Sequence, residues 1–165
     1  MDFIKTLKEN INWKLLIKNL AIPLLVGVVS GFLTKDANAE FTATAIQPTF
    51  TPPPWVFPVV WTILYTLMGI SAYLIEITPY NTGKKNQALI IYYISLFFNF
   101  CWSFIFFSFR LYLFAFIWLL MLLALVVIYT VKYFKINRIA GYLNIPYIIW
   151  LILAGALNFS VYLLN

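Results

Sequence analysis

The chain has 165 residues, of which 64% are hydrophobic and only 10% charged, and its mean hydropathy is +0.92. Soluble domains carry roughly 25% charged residues, so a soluble protein of this size could not bury so much apolar surface. The composition therefore predicts an integral membrane protein. The net charge of +6 comes from Lys and Arg residues between apolar stretches, which indicates membrane topology rather than a nucleic-acid partner.

The chain begins with a basic extension, residues 1–14, in which lysines alternate with apolar residues. The apolar residues Ile4, Leu7, Ile11 and Leu15 share one helical face, so a short amphipathic helix on the membrane surface is one interpretation. The other interpretation is an extension that runs straight into the first span.

The first apolar span covers residues 15–33 and contains Gly27 and Gly31. Glycines four residues apart permit two helices to approach closely, although such pairs also occur by chance in apolar segments. A seam for a second copy of the chain is therefore one of two interpretations of this pair.

A long loop, residues 34–53, is polar at its start and rich in proline at its end. Loops longer than about 12 residues are uncommon in compact domains and often cover a functional site. The run Pro52-Pro53-Pro54 cannot lie inside a helix or strand, because proline fixes its own φ and lacks an N–H. We therefore expect a stiff lid that ends where the second span begins.

Four further spans follow, at about 54–75, 88–107, 111–131 and 140–164. Each has about 20 residues, enough to cross a hydrocarbon core of about 30 Å. The expected fold is an all-α integral membrane domain, residues 15–165, built as a bundle of five transmembrane helices. Nine of the eleven Lys and Arg residues belong to the N-terminus, the second loop and the fourth loop. The positive-inside rule then places the N-terminus in the cytoplasm and the lid on the outer face.

The sequence lacks the residue sets that ordinary catalysis and metal binding require. It has no histidine, and its five acidic residues lie outside the predicted spans or at their ends. A single cysteine, Cys101, excludes an intrachain disulfide. We therefore expect no cofactor, no metal and no hydrolytic activity.

Three predicted spans carry aromatic and amide side chains in helical register. The faces comprise Phe57, Trp61 and Tyr65 in the second span, Asn99, Trp102, Ser103 and Phe106 in the third, and Trp150, Ala154 and Asn158 in the fifth. A flat, mostly apolar ligand between helices would need such ring faces and a few polar groups. The alternative is that the tryptophans and tyrosines anchor the helices at the membrane surface, while the amides bond neighbouring helices.

The same residues resemble the motifs of a known family, the tryptophan-rich sensory protein/translocator protein family, also called the peripheral benzodiazepine receptor family. Its second-helix motif resembles Pro52-Pro53-x-Trp55-Val56-Phe57-x-x-Val60-Trp61-Thr62-x-Leu64-Tyr65-x-Leu67-Met68-Gly69. Its third- and fifth-helix motifs resemble Asn99-x-x-Trp102-Ser103-x-x-Phe106-Phe107 and Pro146-Tyr147-x-x-Trp150-x-x-x-Ala154-x-x-x-Asn158. Pro54 and Pro58 stand where the family often has Gly, which predicts a stiffer junction between lid and helix.

The resemblance implies a bacterial member with five membrane helices, often dimeric, and a pocket beneath the first loop. Family members bind porphyrins, synthetic benzodiazepine-type ligands and, in animals, sterols; the animal sterol motif is incomplete here. By motif position, the ligand-binding residues would be Trp61, Tyr65, Asn99, Trp102, Ser103, Trp150 and Ala154. Trp61 and Trp150 match the tryptophans linked in bacterial members to light-dependent porphyrin breakdown.

The sequence leaves three functions open. The first is a sensor or carrier in the bacterial cell membrane, with a porphyrin or similar flat hydrophobic molecule and membrane lipid as partners. The second is an enzyme that degrades porphyrin under light, in which only the indoles of Trp61 and Trp150 could be redox-active. The third is a regulatory or structural membrane protein with an incidental pocket, which would use Gly27 and Gly31 to bind a partner such as a second copy.

Overall fold

A computed structural model describes residues 11–165, and over this range the chain is α-helical without a β-strand. Five helical segments in this range are long and apolar enough to cross a membrane. They are Trp13–Leu33, Val56–Ile77, Thr82–Ser108, Tyr112–Ile136 and Arg138–Leu164. The predicted all-α integral membrane fold with five transmembrane helices is confirmed.

The individual helices are numbered in chain order. They are α1 (Trp13–Leu33), α2 (Lys35–Thr44), α3 (Val56–Ile77), α4 (Thr82–Ser103), α5 (Tyr112–Ile136), α6 (Arg138–Tyr142) and α7 (Ile145–Leu164). A π-helical turn, Phe104–Ser108, extends α4. Within the predicted basic extension, residues 1–10 lie outside the described residues, whereas Trp13 and Lys14 already belong to α1.

Several helices extend beyond the apolar stretches by which the spans were predicted. α4 begins at Thr82 rather than near residue 88, because the side chain of Asn81 accepts a hydrogen bond from the backbone N–H of Lys84 at 3.0 Å and caps the helix. α5 continues to Ile136, past the predicted end at 131. Hydropathy marks the part of a helix that lies in hydrocarbon, and the helix itself can continue into the headgroup region.

The fifth span, predicted as one continuous helix, is broken between α6 and α7. Pro146 lacks an N–H and its ring clashes with the carbonyl four residues earlier, so the α6 geometry cannot continue. Asn144 at the break donates hydrogen bonds to Ser71 Oγ at 2.7 Å and to the Ala140 carbonyl at 2.8 Å, and accepts one from Tyr129 Oη at 3.0 Å. Backbone irregularity inside a bilayer requires such internal partners, and here Asn144 supplies them.

The lid loop, residues 34–53, contains a helix that the sequence did not lead us to expect. α2 occupies its first half, where alanine is frequent and proline is absent. The extended, proline-rich part begins only near Pro48, whose carbonyl accepts hydrogen bonds from Thr51 N–H at 3.1 Å and Thr51 Oγ1 at 2.8 Å. The lid is thus half helix and half rigid turn.

Two contacts attach α2 to the end of α4. The ring of Phe41 packs edge-on against Phe106 and Phe107, with centroid distances of 5.1 and 5.5 Å. Beside them, Arg110 Nη2 donates to Glu40 Oε1 at 2.7 Å. The helical part of the lid is therefore held by these side-chain contacts as well as by its chain connections.

A third attachment joins the lid to α7. The backbone N–H of Ile46 donates to Asn165 Oδ1 at 2.9 Å, and Asn165 Nδ2 donates to the Ile46 carbonyl at 3.0 Å. This pair of bonds ties the segment after α2 to the C-terminal residue that caps α7.

The opposite half of the bundle is tightly packed. A Cβ on Gly69 of α3 would lie 2.7 Å from the Asn19 carbonyl oxygen of α1, so only glycine permits this close approach. Below it, Tyr92, Tyr129 and Tyr133 are fully buried, with ring centroids 5.6 Å apart for the first two and 5.1 Å for the last two. Large rings fill this half and leave the open space at the lid end.

The lysine within the first span has a partner that neutralises its charge. Lys18 Nζ donates to both carboxylate oxygens of Glu76, at 2.8 and 3.0 Å. Lys85 Nζ donates to the Glu76 and Thr78 carbonyls at 3.0 and 3.1 Å, at the same end of the bundle. These charges belong to the end opposite the lid.

Candidate functional site

A cavity of about 1090 Å³ lies beneath the lid loop. Its walls come from α1, α3, α4 and α7, and its cover comes from α2 and the prolines Pro52–Pro54. This volume is slightly larger than the range of about 300–1,000 Å³ that is typical of ligand pockets. The chain thus encloses a space for a large ligand at the position the family resemblance implied.

The α3 wall of the cavity is a continuous aromatic surface. Trp61 stacks on Tyr65 with a centroid distance of 5.3 Å and an interplanar angle of 26°. Trp150 of α7 meets Trp61 edge-on at 6.4 Å and 87°, and it also contacts Phe57 at 5.8 Å. The i, i+4, i+8 spacing on α3 places Phe57, Trp61 and Tyr65 on one face. The ring of Trp150 stands nearly perpendicular to that of Trp61.

Space for this wall comes from the glycines of α1. Tyr65 lies against Gly27, where a Cβ would overlap its ring. Nothing lies within 4 Å of a Cβ built on Gly31, which lines the cavity instead. Gly27 therefore packs against α3 of the same chain and Gly31 lines the cavity, while a seam between these glycines and a second copy stays a prediction.

A buried hydrogen-bond chain forms the floor of the cavity. Tyr65 Oη donates to Asn99 Oδ1 at 2.9 Å, and Asn99 Nδ2 donates to Tyr147 Oη at 2.6 Å. All three residues are at most 5% exposed. This chain of hydrogen bonds joins α3, α4 and α7 and holds the Asn99 amide in one orientation at the base of the aromatic wall.

The α4 wall is held by a second amide. Trp102 Nε1 donates to Asn158 Oδ1 at 3.2 Å, and Asn158 Nδ2 donates to the Tyr112 carbonyl at 2.8 Å. Trp102 also stacks on Phe106 at 4.9 Å and 18°. Its indole is therefore fixed in a plane that forms the wall facing α3.

The seven residues predicted to bind a ligand all line this one cavity. They are Trp61, Tyr65, Asn99, Trp102, Ser103, Trp150 and Ala154. The structure brings them together from α3, α4 and α7, and Ala154 leaves room where a larger side chain would intrude. Their contact with a ligand remains a prediction.

Sequence reasoning missed the lining contributed by α1 and α2. Gly27 and Gly31 were read as a helix-packing pair, and the polar residues of the lid were not assigned a site. Lys35, Asn38 and Thr42 all line the cavity. Their i, i+3, i+7 spacing was the available signal, and it could be used only once α2 was known to be a helix.

The lining is almost devoid of charge. Lys35 is the one ionisable side chain among the cavity-lining residues of the described chain, apart from the tyrosine hydroxyl of Tyr65. In residues 11–165 no three His, Cys, Asp or Glu side chains come together as a metal site would require. The cavity can therefore hold a flat apolar molecule by stacking and shape, with polar contacts at its floor and mouth.

Comparison with known proteins identifies the family. The sequence model of the TspO/MBR family matches residues 19–164. The tryptophan-rich protein TspO of Archaeoglobus fulgidus is 34% identical over 152 residues, which cover 91% of this chain and 96% of the relative. The tryptophan-rich sensory protein of Cereibacter sphaeroides is 31% identical over 156 residues, 94% of each chain. The human translocator protein is 33% identical over 118 residues, 70% of this chain and 69% of the relative. The resemblance seen in the sequence motifs is thereby confirmed, and this integral membrane protein belongs to the TspO/MBR family.

Proposed function

We propose that this protein binds porphyrins of the protoporphyrin type, and related flat hydrophobic molecules, in the cavity beneath the lid. The observation that carries the proposal is the combination of volume and lining. A space of about 1090 Å³ is walled by the indoles of Trp61, Trp102 and Trp150 and contains no carboxylate among its lining residues. A macrocycle with two large π faces can stack on such walls.

The relatives' names support a receptor or carrier rather than an enzyme. They are called sensory protein and translocator protein. A protein that senses or carries a hydrophobic molecule has to sequester it from lipid and release it again. The cavity offers stacking surfaces and a cover, without the paired acid and base groups that hydrolytic chemistry needs.

Saturable quenching of tryptophan fluorescence by protoporphyrin tests the proposal. The variant Trp61→Ala/Trp150→Ala removes two indoles from one corner of the cavity and should weaken binding by at least tenfold. Trp13→Ala is the matched control, since Trp13 lies at the other end of the molecule and is 63% exposed. Unchanged affinity in the double variant would exclude this cavity as the porphyrin site.

The geometry of Trp61 and Trp150 gives one reason to keep a second function, light-dependent porphyrin degradation. The two indoles meet at 6.4 Å, and Trp61 stacks on Tyr65, so oxidisable side chains would flank a bound porphyrin. Degradation by the protein requires more than one equivalent of porphyrin to be converted per cavity under light, with no loss in the dark. Conversion that stops at one equivalent would indicate bystander photochemistry on a bound ligand.

A further inference from the structure

We propose that Lys35 forms a carboxylate-binding subsite at the mouth of the cavity, so that the preferred ligand is a flat hydrophobic acid rather than a neutral molecule. This inference rests on the proposed function, because it names the chemical class of ligand for the same cavity. In the proposed orientation, the carboxylate edge of the ligand lies under the lid near Lys35 and the ring system lies deeper in the cavity.

The first observation is the position of the Lys35 ammonium. Lys35 lines the cavity, and its Nζ lies 5.1 Å from the centroid of the Phe32 ring, which also lines it. A cation held over an aromatic face keeps its charge and its hydrogen-bond donors available on the other side. Lys35 is the sole basic side chain in the cavity lining of the described chain, and no carboxylate lines the cavity with it.

The second observation is that the acidic residues of the lid do not line the cavity. Lys35, Asn38 and Thr42 occupy the inner face of α2, at i, i+3 and i+7. Asp36 and Glu40 occupy the other face, four residues apart. Arg110 Nη2 donates to Glu40 Oε1 at 2.7 Å, and neither residue lines the cavity. The positive charge of Lys35 therefore lies on the face of α2 that lines the cavity, and the two acids of α2 do not lie on that face.

The third observation is that the lid and the helix walls contribute different side chains to the cavity lining. Asn38 and Gln47 of the lid line the cavity together with Lys35, whereas the helix walls contribute mainly rings, with Asn99 and Asn158 among their few polar groups. A molecule with polar groups on one edge satisfies both regions at once.

The flexible stem of lysine suits this role. An ammonium on a four-carbon chain is a compact point charge that can follow a carboxylate whose position varies between ligands. The subsite therefore distinguishes acids from neutral molecules without requiring one ring system. Porphyrins with ionised propionate groups fit the class, whereas sterols and fully esterified porphyrins do not.

The test compares protoporphyrin IX with its dimethyl ester, which keeps the ring system and lacks both carboxylates. The full-length protein is placed in zwitterionic lipid nanodiscs, and each ligand is titrated by tryptophan fluorescence quenching. Wild-type protein should bind the diacid about tenfold more tightly than the ester, which corresponds to about 1.4 kcal/mol. Lys35→Met should abolish this preference by weakening diacid binding alone, and Lys35→Glu should reverse it.

Two internal controls separate a local effect from misfolding. Unchanged ester affinity in Lys35→Met shows that the cavity is intact. Lys84→Met removes a lysine at the opposite end of the bundle and should leave the preference unchanged. A preference that survives Lys35→Met, or equal wild-type affinity for acid and ester, would overturn the subsite while the proposed function stands. Failure of both ligands to bind the wild-type protein would overturn the proposed function and the subsite together.

Discussion

The hydroxyl of Tyr65 donates a hydrogen bond to Oδ1 of Asn99 at 2.9 Å, and this bond joins α3 to α4 at the floor of the cavity. The same tyrosine ring stacks on Trp61 and lies against Gly27. One side chain thus connects the packing of α1 with the orientation of the aromatic wall. Substitutions at Gly27, Tyr65 or Asn99 should therefore alter the aromatic wall of the cavity.

Tyr65→Phe should lower the stability of the protein while keeping the aromatic wall. The substitution removes one buried hydrogen bond and leaves Asn99 Oδ1 without its donor, which costs about 0.5–2 kcal/mol. Thermal unfolding in detergent measures the loss. Tyr142→Phe, at a tyrosine that is 65% exposed, is the control and should leave the unfolding temperature unchanged. Equal stability of Tyr65→Phe and wild type would contradict the hydrogen bond.

Gly27→Ala and Gly31→Ala should behave differently although both add one methyl group to the same helix. A Cβ at Gly27 overlaps the Tyr65 ring, which is buried and hydrogen-bonded, so we expect a loss of about 1–3 kcal/mol and a disturbed Trp61 stack. A Cβ at Gly31 meets open space and should be tolerated. Thermal unfolding and tryptophan emission compare the two. If Gly31→Ala were destabilised and Gly27→Ala were neutral, the packing described for these two glycines would be contradicted. A contact between the glycines and a second copy of the chain would then be favoured.

Ala154→Leu should block ligand binding without unfolding the protein. Ala154 lines the cavity, so a larger side chain occupies volume that the ligand needs. The matched control is Ala124→Leu, which adds the same atoms to an exposed position of α5. Porphyrin affinity should fall at least tenfold in the first variant and stay at the wild-type value in the second. Equal affinity in both would exclude the region around Ala154 from the site.

Glu40→Gln should speed ligand exchange more than it changes stability. The Glu40–Arg110 pair is partly exposed, with side chains 65% and 40% exposed, so its contribution to folding is below about 1 kcal/mol. It nevertheless joins α2 to the chain that follows the π-helical turn, so its removal should loosen the lid and raise the ligand dissociation rate. Stopped-flow displacement measures this rate, with Asp36→Asn as the control that changes an acid of α2 without an ion pair to Arg110. Identical dissociation rates in wild type and Glu40→Gln would show that this pair does not restrain the lid.

Membrane orientation can be tested by cysteine labelling in intact cells. In a Cys101→Ala background, Thr44→Cys reports the lid side and Asn86→Cys reports the lysine-rich end, and both positions are exposed. The positive-inside rule predicts that a membrane-impermeant maleimide labels Thr44→Cys only. Labelling of Asn86→Cys alone would place the lid in the cytoplasm.

The aromatic walls could be predicted from sequence because their geometry is local. Within a helix, residues four apart share a face, so the positions of Trp61 and Tyr65 on α3 follow once the helix is recognised. The closure of the wall by Trp150 depends on the placement of α7, and only the family motif indicated it. The role of Gly27 required knowledge of what lies opposite it, which periodicity within α1 does not contain.

The lid and the fifth span show why other features escaped prediction. Residues 35–44 have little net hydrophobicity, so a method that searches for apolar stretches passes over α2. Pro146 was visible in the sequence, but a proline near the start of a span is compatible with a continuous helix, a kink or a break. The break is stabilised by Asn144 through Ser71 and Tyr129, partners that are far away in sequence.

The packed tyrosines below Asn99 determine where a ligand could enter and leave the cavity. Tyr92, Tyr129, Tyr133 and Tyr147 are each at most 1% exposed, and their rings close the half of the bundle opposite the lid. The cavity is therefore closed at the end opposite the lid. A molecule that enters the cavity on the lid side has to leave on that side, unless the packed rings on α4, α5 and α7 separate. For the proposed ligand, these packed rings favour entry and release on the lid side over passage through the bundle.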